Sequence, residues 1–461
     1  MTIYTLSSSL PDDSFTDWTD PSLWEGGQAP DDPSAQVFLN SAGANFYFPE
    51  VEQGEQISIG SLVMQSNNLL LYGSLASAGS VTVGAASGIQ IYGGALSAQS
   101  LHLNGTGTVD VGIVGVGAVT VAGPVYNDSS IISGNATGLS DQTVLTVSAA
   151  YFQNSGLLEA SVNSTLLVQI THPGGLANYV SGTLVGGTYE AEAGGVLDLQ
   201  TSGLIYSDSA DLIYDGQGGS VIASYDPSAG QYVPLQQTLS LITQSGILEL
   251  DAGSYTTAGT LTVAGDLKLL GDAVFSAGTL YVTGGGHLDL ILAVPQGGQE
   301  VSAGRVINQG AIFADGSGGG TTTIDSAIQG SGTLTIGPSV TVLNEAMQPI
   351  TTTATIELTK AVSNTIQFSD GTGTVILDSP AAMSGHFQGF QTGDKIELPT
   401  IALSAVTSYS YANGILTLQE GSTALHLAFS GGYSTADFGL EAGANGAGTI
   451  LIGVAPAPAS V

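Results

Sequence analysis

Thirty-eight acidic residues and four basic ones carry most of the charge chemistry available to this 461-residue chain. Seven of the acids, Asp12, Asp13, Asp17, Asp20, Glu25, Asp31 and Asp32, crowd into one stretch with Gly, Pro and Ser and without a base. Carboxylate oxygens carried on loops suit calcium, a hard cation that takes several oxygen ligands. Two readings stand: an irregular calcium site drawn from Asp12, Asp13, Asp17, Asp20, Asp31 and Asp32, or a solvated acidic cap. The D-x-D-x-D-G spacing of an EF-hand and the GGxGxD nonapeptide are both absent. Asp370 in FSDGTG and Asp394 in TGDKIEL are further carboxylate candidates.

The bases, Lys268, Arg305, Lys360 and Lys395, are scattered. A lyase acting on uronates needs cationic groups beside its base, so this composition argues against one. It argues equally against nucleic acid, whose phosphates need clustered Lys and Arg, and against anionic lipid. The histidines at 102, 172, 287, 386 and 426 form no H-E-x-x-H or i, i+4 pair, which leaves zinc without a motif. His102, His287 and His426 alternate with leucines and are expected to face outward. No G-x-S-x-G elbow or Walker loop occurs. Glycoside hydrolysis, which needs two carboxylates at a suitable separation, stays open, although no local motif nominates a pair. The expectation is a protein that is not an enzyme.

The elements that would position these groups are short strands punctuated by Gly. LLLY, SVTV, IQIY and LHL end at Tyr72, Val83, Tyr92 and Leu103, so two strands and two turns recur about every 20 residues. GTLTV at 259–263 returns as GTLYV at 278–282, and LEL, LKL and LDL end at Leu250, Leu269 and Leu290. Strands this short bury an apolar face only by stacking coil on coil. The expected fold is all-β, a right-handed parallel β-solenoid of about 20 residues per coil, with a sandwich or barrel as the alternative. The period places Glu249, Lys268 and Asp289 in one outward column, either a surface ladder or a ligand groove.

Texture divides the chain into an acidic cap and assembly segment (1–50), a solenoid (51–125), a solenoid with longer insertions (126–245), a regular solenoid (246–345) and a C-terminal β-module (346–461). NSGLLEAS at 154–161, NQGAIFAD at 308–315 and SGTLVGGTYEAEAGGVLDL at 181–199 resemble the degenerate repeats of β-helical surface proteins of Gram-negative bacteria, the autotransporter-passenger and haemagglutinin-like group. WTDPSLWEGGQAPDD at 18–32 resembles the segment opening many such helices, and FQGFQTGDKIELPTI at 387–401 is similar to the module closing them. The resemblance implies a cell-surface location and a role as adhesin or matrix protein, with enzymes in the minority. A recognisable membrane-barrel translocator is missing from the pattern.

A chain with 43% hydrophobic residues is too apolar for disorder, and no run of 18 apolar residues predicts a membrane span. Zero cysteines in an acidic, Lys-poor protein fit life outside a bacterial cell. MTIYTLSSSL lacks the basic and apolar regions of a signal peptide, so export calls for a removed leader or an uncleaved route. The expected function is a secreted structural protein that self-assembles into a surface layer, filament or matrix. The second reading is an adhesin that binds cell-surface polysaccharide through Tyr179, Tyr189, Tyr206, Tyr214, Tyr225 and Tyr232. For assembly, Thr2, Ile3, Tyr4, Thr5 and Leu6 form a β-prone arm that either joins a neighbouring copy end to end or folds back on its own chain.

Overall fold

The computed structural model describes residues 2–7, 15–40, 48–105, 112–134, 143–216, 219–292, 298–316, 319–338, 340–343, 349–369, 372–443 and 448–454. Strand outweighs helix, 63% to 4%, and the protein is all-β. Contacts divide it into two compact units, Met1–Thr238 and Leu239–Val461. No helix among the described residues is long and apolar enough to cross a membrane.

In the first unit, strands pair in parallel with strands one repeat later, and the pairings fall into three ladders. The first begins with Ile3–Thr5 on residues 36–38 and continues through residues 61–65, Ser80–Val83 and Ser100–Leu103. The second runs from residues 56–59 through Ser74–Ser77 and, later, Ser164–Ile170 to Val196–Leu199 and Val221–Asp226. The third starts at Phe15–Asp17 on Phe48–Val51 and passes through Ser130–Ser133 and Leu157–Ala160 to residues 188–191 and 211–214. Alternation decides which face is inside: Leu62, Val81 and Leu101 stack in one register and are fully buried, while Thr82 and His102 between them are half-buried.

The repeat read from the sequence is visible in this register. Leu71 faces Ile91 and Val83 faces Leu103, the same step in both ladders. The step then lengthens by the time Leu158 faces Tyr189, because between them the chain leaves the ladders for an excursion that turns back where Tyr179–Val180 pair antiparallel with residues 183–184.

The second unit also builds three parallel ladders. Leu248, Leu267, Leu288, Ile312, Leu334, Ile366 and Phe387 follow one another in register and are fully buried. A second ladder stacks Tyr255, Phe275 and Val301, the two rings 6.0 Å apart and nearly parallel. The third carries Leu261, Leu280, Val306 and Ile328. Glycine here allows one strand to lie close to the next: a Cβ on Gly310 would stand 2.2 Å from the Thr283 carbonyl oxygen.

The ladders do not stop near residue 346. Thr355–Leu358, Thr374–Leu377 and Lys395–Leu398 extend one of them, and Thr365–Phe368 and His386–Gln388 another. The change of texture has a local cause: the hairpin Val340–Leu343 with Pro349–Thr352 intervenes between Ile324 and its partner Leu358 and lengthens that step. Antiparallel strands enter later, Val406–Ala412 with Ile415–Glu420 and Thr423–Ser430, and Phe438–Ala442 with Thr449–Gly453. Phe387, Phe390, Phe429 and Phe438 pack there at centroid distances of 5.0 to 6.0 Å and hide the last rungs.

The N-terminal segment supplies rungs from Ile3 onward. Its Trp18 and Trp24 are buried against each other with centroids 4.8 Å apart, the Trp18 indole donating to the Pro30 carbonyl and the Trp24 indole to the Trp18 carbonyl. The arm at 2–6 is paired within its own chain, Ile3–Thr5 on residues 36–38 and Leu6 bridged to Trp24. Those groups are therefore not free to invade a neighbour, the physical reason being the ladder hydrogen bonds they already make.

Buried polar residues lock the register. Asn127 donates to the Asn154 side chain at 2.7 Å, and Asn178 accepts from the Asn154 N–H and donates to its carbonyl. Asn364 bridges the Asn308 and Gly332 carbonyls, and Gln299 bridges those of Leu269 and Ile291. Each amide fills backbone groups that a turn would otherwise leave unpaired.

Candidate functional site

Asp12, Asp13 and Asp370 lie outside the described residues. The other N-terminal acids do not converge; Asp17, Asp20 and Asp32 each serve a turn, while Asp31 and Glu25 accept from groups distant in sequence. The Asp17 carboxylate accepts from the N–H and hydroxyl of Thr19, both at 2.7 Å. Asp20 accepts from the Ser22 N–H at the start of the short turn Pro21–Leu23, Asp31 from the Ser58 N–H, and Asp32 from the Ser34 N–H. Backbone donation, reinforced by the serine hydroxyls, holds Asp20 and Asp32 below the ordinary carboxylate range. Asp394 is fully buried and takes the N–H groups of Gly373 and Gln391, which makes it a staple between strands.

Glu249, Lys268 and Asp289 stand in register as the period predicts. The Lys268 ammonium is 3.8 Å from the Glu249 carboxylate. Asp289 is raised above the usual range, chiefly by burial and then by Asp266, with His287 and Lys268 opposing. A half-exposed pair of this kind contributes under about 1 kcal/mol and helps fix register. His102 stacks on Tyr126 at 4.9 Å, while His287 and His426 are exposed, all three turned from the core.

A cluster that the spacing did not announce lies on the third ladder of the first unit. Glu159 faces Glu190 across adjacent strands, and Glu192 and Asp215 each follow a paired position, Ala191 with Tyr214. Carboxylate oxygens of Glu190, Glu192 and Asp215 come within 4.8 Å of one another, the one such trio among the described residues. Glu192 accepts from the Val162 N–H and Glu159 from the Ser161 hydroxyl. Burial raises Glu159, the Ser161 bond opposes, and the charges of Glu192 and Asp215 add to the rise. Oxygens so placed have the hard character a divalent cation prefers, and unneutralised they repel. The successive steps that bring them together are unequal in length, so no fixed period finds them.

A cleft of about 370 Å³ opens where two excursions of the same unit meet, residues 170–176 on one side and 225–227 on the other, with 200–202 between. Tyr179 and Tyr225 line it with Pro173, Pro227, His172 and Gln200. The Tyr179 hydroxyl donates to the Leu204 carbonyl, and the Tyr225 ring packs edge-on against Tyr232, centroids 5.3 Å apart. Tyr206 is half exposed. Tyr189 and Tyr214 are not surface groups at all. They sit at inward pleat positions, in register with Leu158 and Ala191, and are buried to 0% and 1% exposure, so a glycan cannot reach them.

One carboxyl lies inside the core. Asp208 occupies an inward position opposite Leu184 and is fully buried. One of its oxygens accepts from the Ala210 N–H at 2.9 Å and the other has no hydrogen-bond partner. Burial pushes its pKa up to about 8, the Ala210 bond opposing and Asp211 adding to the rise. A comparison with protein-family models gives no match, and a comparison with curated proteins gives none either.

Proposed function

We propose that the three ladders of each unit are the faces of a right-handed parallel β-solenoid, and that the chain is a non-enzymatic, secreted structural protein of a bacterial surface. It assembles end to end into a layer, filament or matrix. The resemblance to β-helical surface proteins agrees with this reading. The observation that carries it is the state of the first rungs. Ile3–Thr5 and Phe15–Asp17 each pair with one named strand, residues 23–25 meet the first of them only at its end, where Leu6 bridges Trp24 and the Thr5 carbonyl accepts from the Glu25 N–H, and Ile3 and Phe15 are each 63% exposed. A strand edge with apolar side chains beside it templates further pairing unless something covers it. A second copy added there makes a heterologous contact, which continues as a fibre when it does not close into a ring. Association occurs by adding to the edge, with the first strand kept in its own ladder.

Light scattering and electron microscopy of the full chain test this. Ile3→Lys with Phe15→Lys should leave melting within a few degrees of the parent and suppress assembly, because charge on an edge blocks strand addition. Fibres unchanged in the double variant would remove the edge from the reading, and a parent that stays monomeric at all concentrations would remove the reading itself.

A further inference from the structure

The cleft at residues 170–176, 200–202 and 225–227 is unrelated to the edges that the assembly reading uses. We propose that it is a binding site for a neutral oligosaccharide. None of its thirteen lining residues is Asp, Glu, Lys or Arg, although the chain carries a net charge of −34. A ligand bearing carboxylate, sulfate or phosphate finds no counter-charge in the cleft and a repulsive field around it. A cationic ligand finds no carboxylate in the lining, the Asp226 carboxylate between Tyr225 and Pro227 being taken up by the N–H and hydroxyl of Ser228.

The lining is instead made for rings with hydroxyls. Tyr179 and Tyr225 present aromatic rings beside the pyrrolidines of Pro173 and Pro227, surfaces on which the apolar face of a pyranose packs. Thr171, His172, Gln200, Thr201 and Ser202 supply groups that each donate and accept. A sugar hydroxyl does both, whereas a peptide backbone presents a fixed order of donors and acceptors. Some of these groups are already anchored and leave part of their capacity open. The Gln200 carbonyl accepts from the Ile170 N–H, which directs its amide away from that bond, and the Thr201 hydroxyl donates to the Tyr225 carbonyl, which leaves its oxygen able to accept.

The rings are held before any ligand arrives. Tyr179 is tied through its hydroxyl to Leu204, and a Cβ on Gly203 would stand 2.8 Å from that hydroxyl, so the glycine makes room for it. Tyr225 is braced by Tyr232. Rings fixed in this way lose little freedom on binding, so their contact area goes into affinity. A volume of about 370 Å³ lies at the small end of ligand pockets, which fits one or two sugar units of a longer chain passing over the surface.

Calorimetric titration of the full chain with cellohexaose, mannohexaose and maltohexaose, each at millimolar concentration, tests the proposal, with hexagalacturonate and decaproline as rivals. At least one neutral oligomer should bind. Tyr179→Ala and Tyr225→Ala should each weaken it about tenfold, and Tyr72→Ala, in a stacked pair elsewhere, should leave it unchanged. Ser202→Trp, at an exposed loop position, should block the cleft without disturbing the ladders, and it decides the matter if a tyrosine variant fails to fold. Binding of hexagalacturonate or decaproline in place of the neutral oligomers overturns the proposal. So does binding that survives Ser202→Trp, or no binding by any of the three.

Discussion

Asp208 is a carboxyl stacked where its neighbour in the ladder is a leucine, and its consequence is a stability that falls as pH rises. The unfolded chain gives up this proton near the ordinary aspartate value of 3.8, whereas the folded one keeps it until about 8. Between those values the native state binds more protons, so each pH unit lowers folding stability, and the loss levels off above about 8. Asp208→Asn keeps an acceptor for the Ala210 N–H and removes the ionisation. Denaturant titrations should find the variant and the parent alike near pH 4, with the variant several kcal/mol more stable near pH 8. Equal stabilities at both values would mean that the buried carboxyl is solvated or paired in solution. Nothing in the sequence warns of this residue. SDSAD reads as a polar loop, and only the register beside Leu184 turns Asp208 inward.

At the scale of the strand and its turn, the glycines separate two jobs that look identical in the text. Gly310 has no positive φ to provide; it is small because the Thr283 and Gly286 carbonyl oxygens would lie 2.2 and 2.3 Å from a Cβ. Gly310→Ala should therefore cost about 1–3 kcal/mol, whereas Gly285→Ala, with nothing within 4 Å, should cost little; thermal melts of the pair compare them directly. Much of the ladder register is legible without coordinates, because LEL, LKL and LDL recur at a nearly constant step and fall opposite one another. The second ladder of the first unit is harder to see. Its rungs, such as Ser74–Ser77, carry one large apolar residue, Leu75, with the buried Ser77 in the place of a second. By composition the cap's acids form one potential site, yet Asp17, Asp20 and Asp32 each bind a residue two ahead, a local use that composition does not distinguish from a shared ion. The acid trio and the cleft are invisible for a related reason: both depend on excursions of unequal length.

The whole molecule has four sites at which a protease specific for Lys or Arg can cut, and the ladders withdraw half of them. Lys268 lies in a strand paired on both sides, with residues 247–251 and 287–291. Lys395 is likewise held between residue 374 and residue 452. Arg305 and Lys360 are exposed between strands. A protease needs an extended segment free of its neighbours, so strand-held sites open only with local unfolding. Limited trypsin digestion of the native protein should cut first at Arg305 and Lys360, and mass spectrometry of the early fragments should show their ends there. Early fragments ending at Lys268 or Lys395 would mean that those rungs open readily. A fold that spends carboxylates on its turns and almost no amines on its surface is thereby hard to digest at basic residues, and offers amine-directed reagents only three lysine side chains.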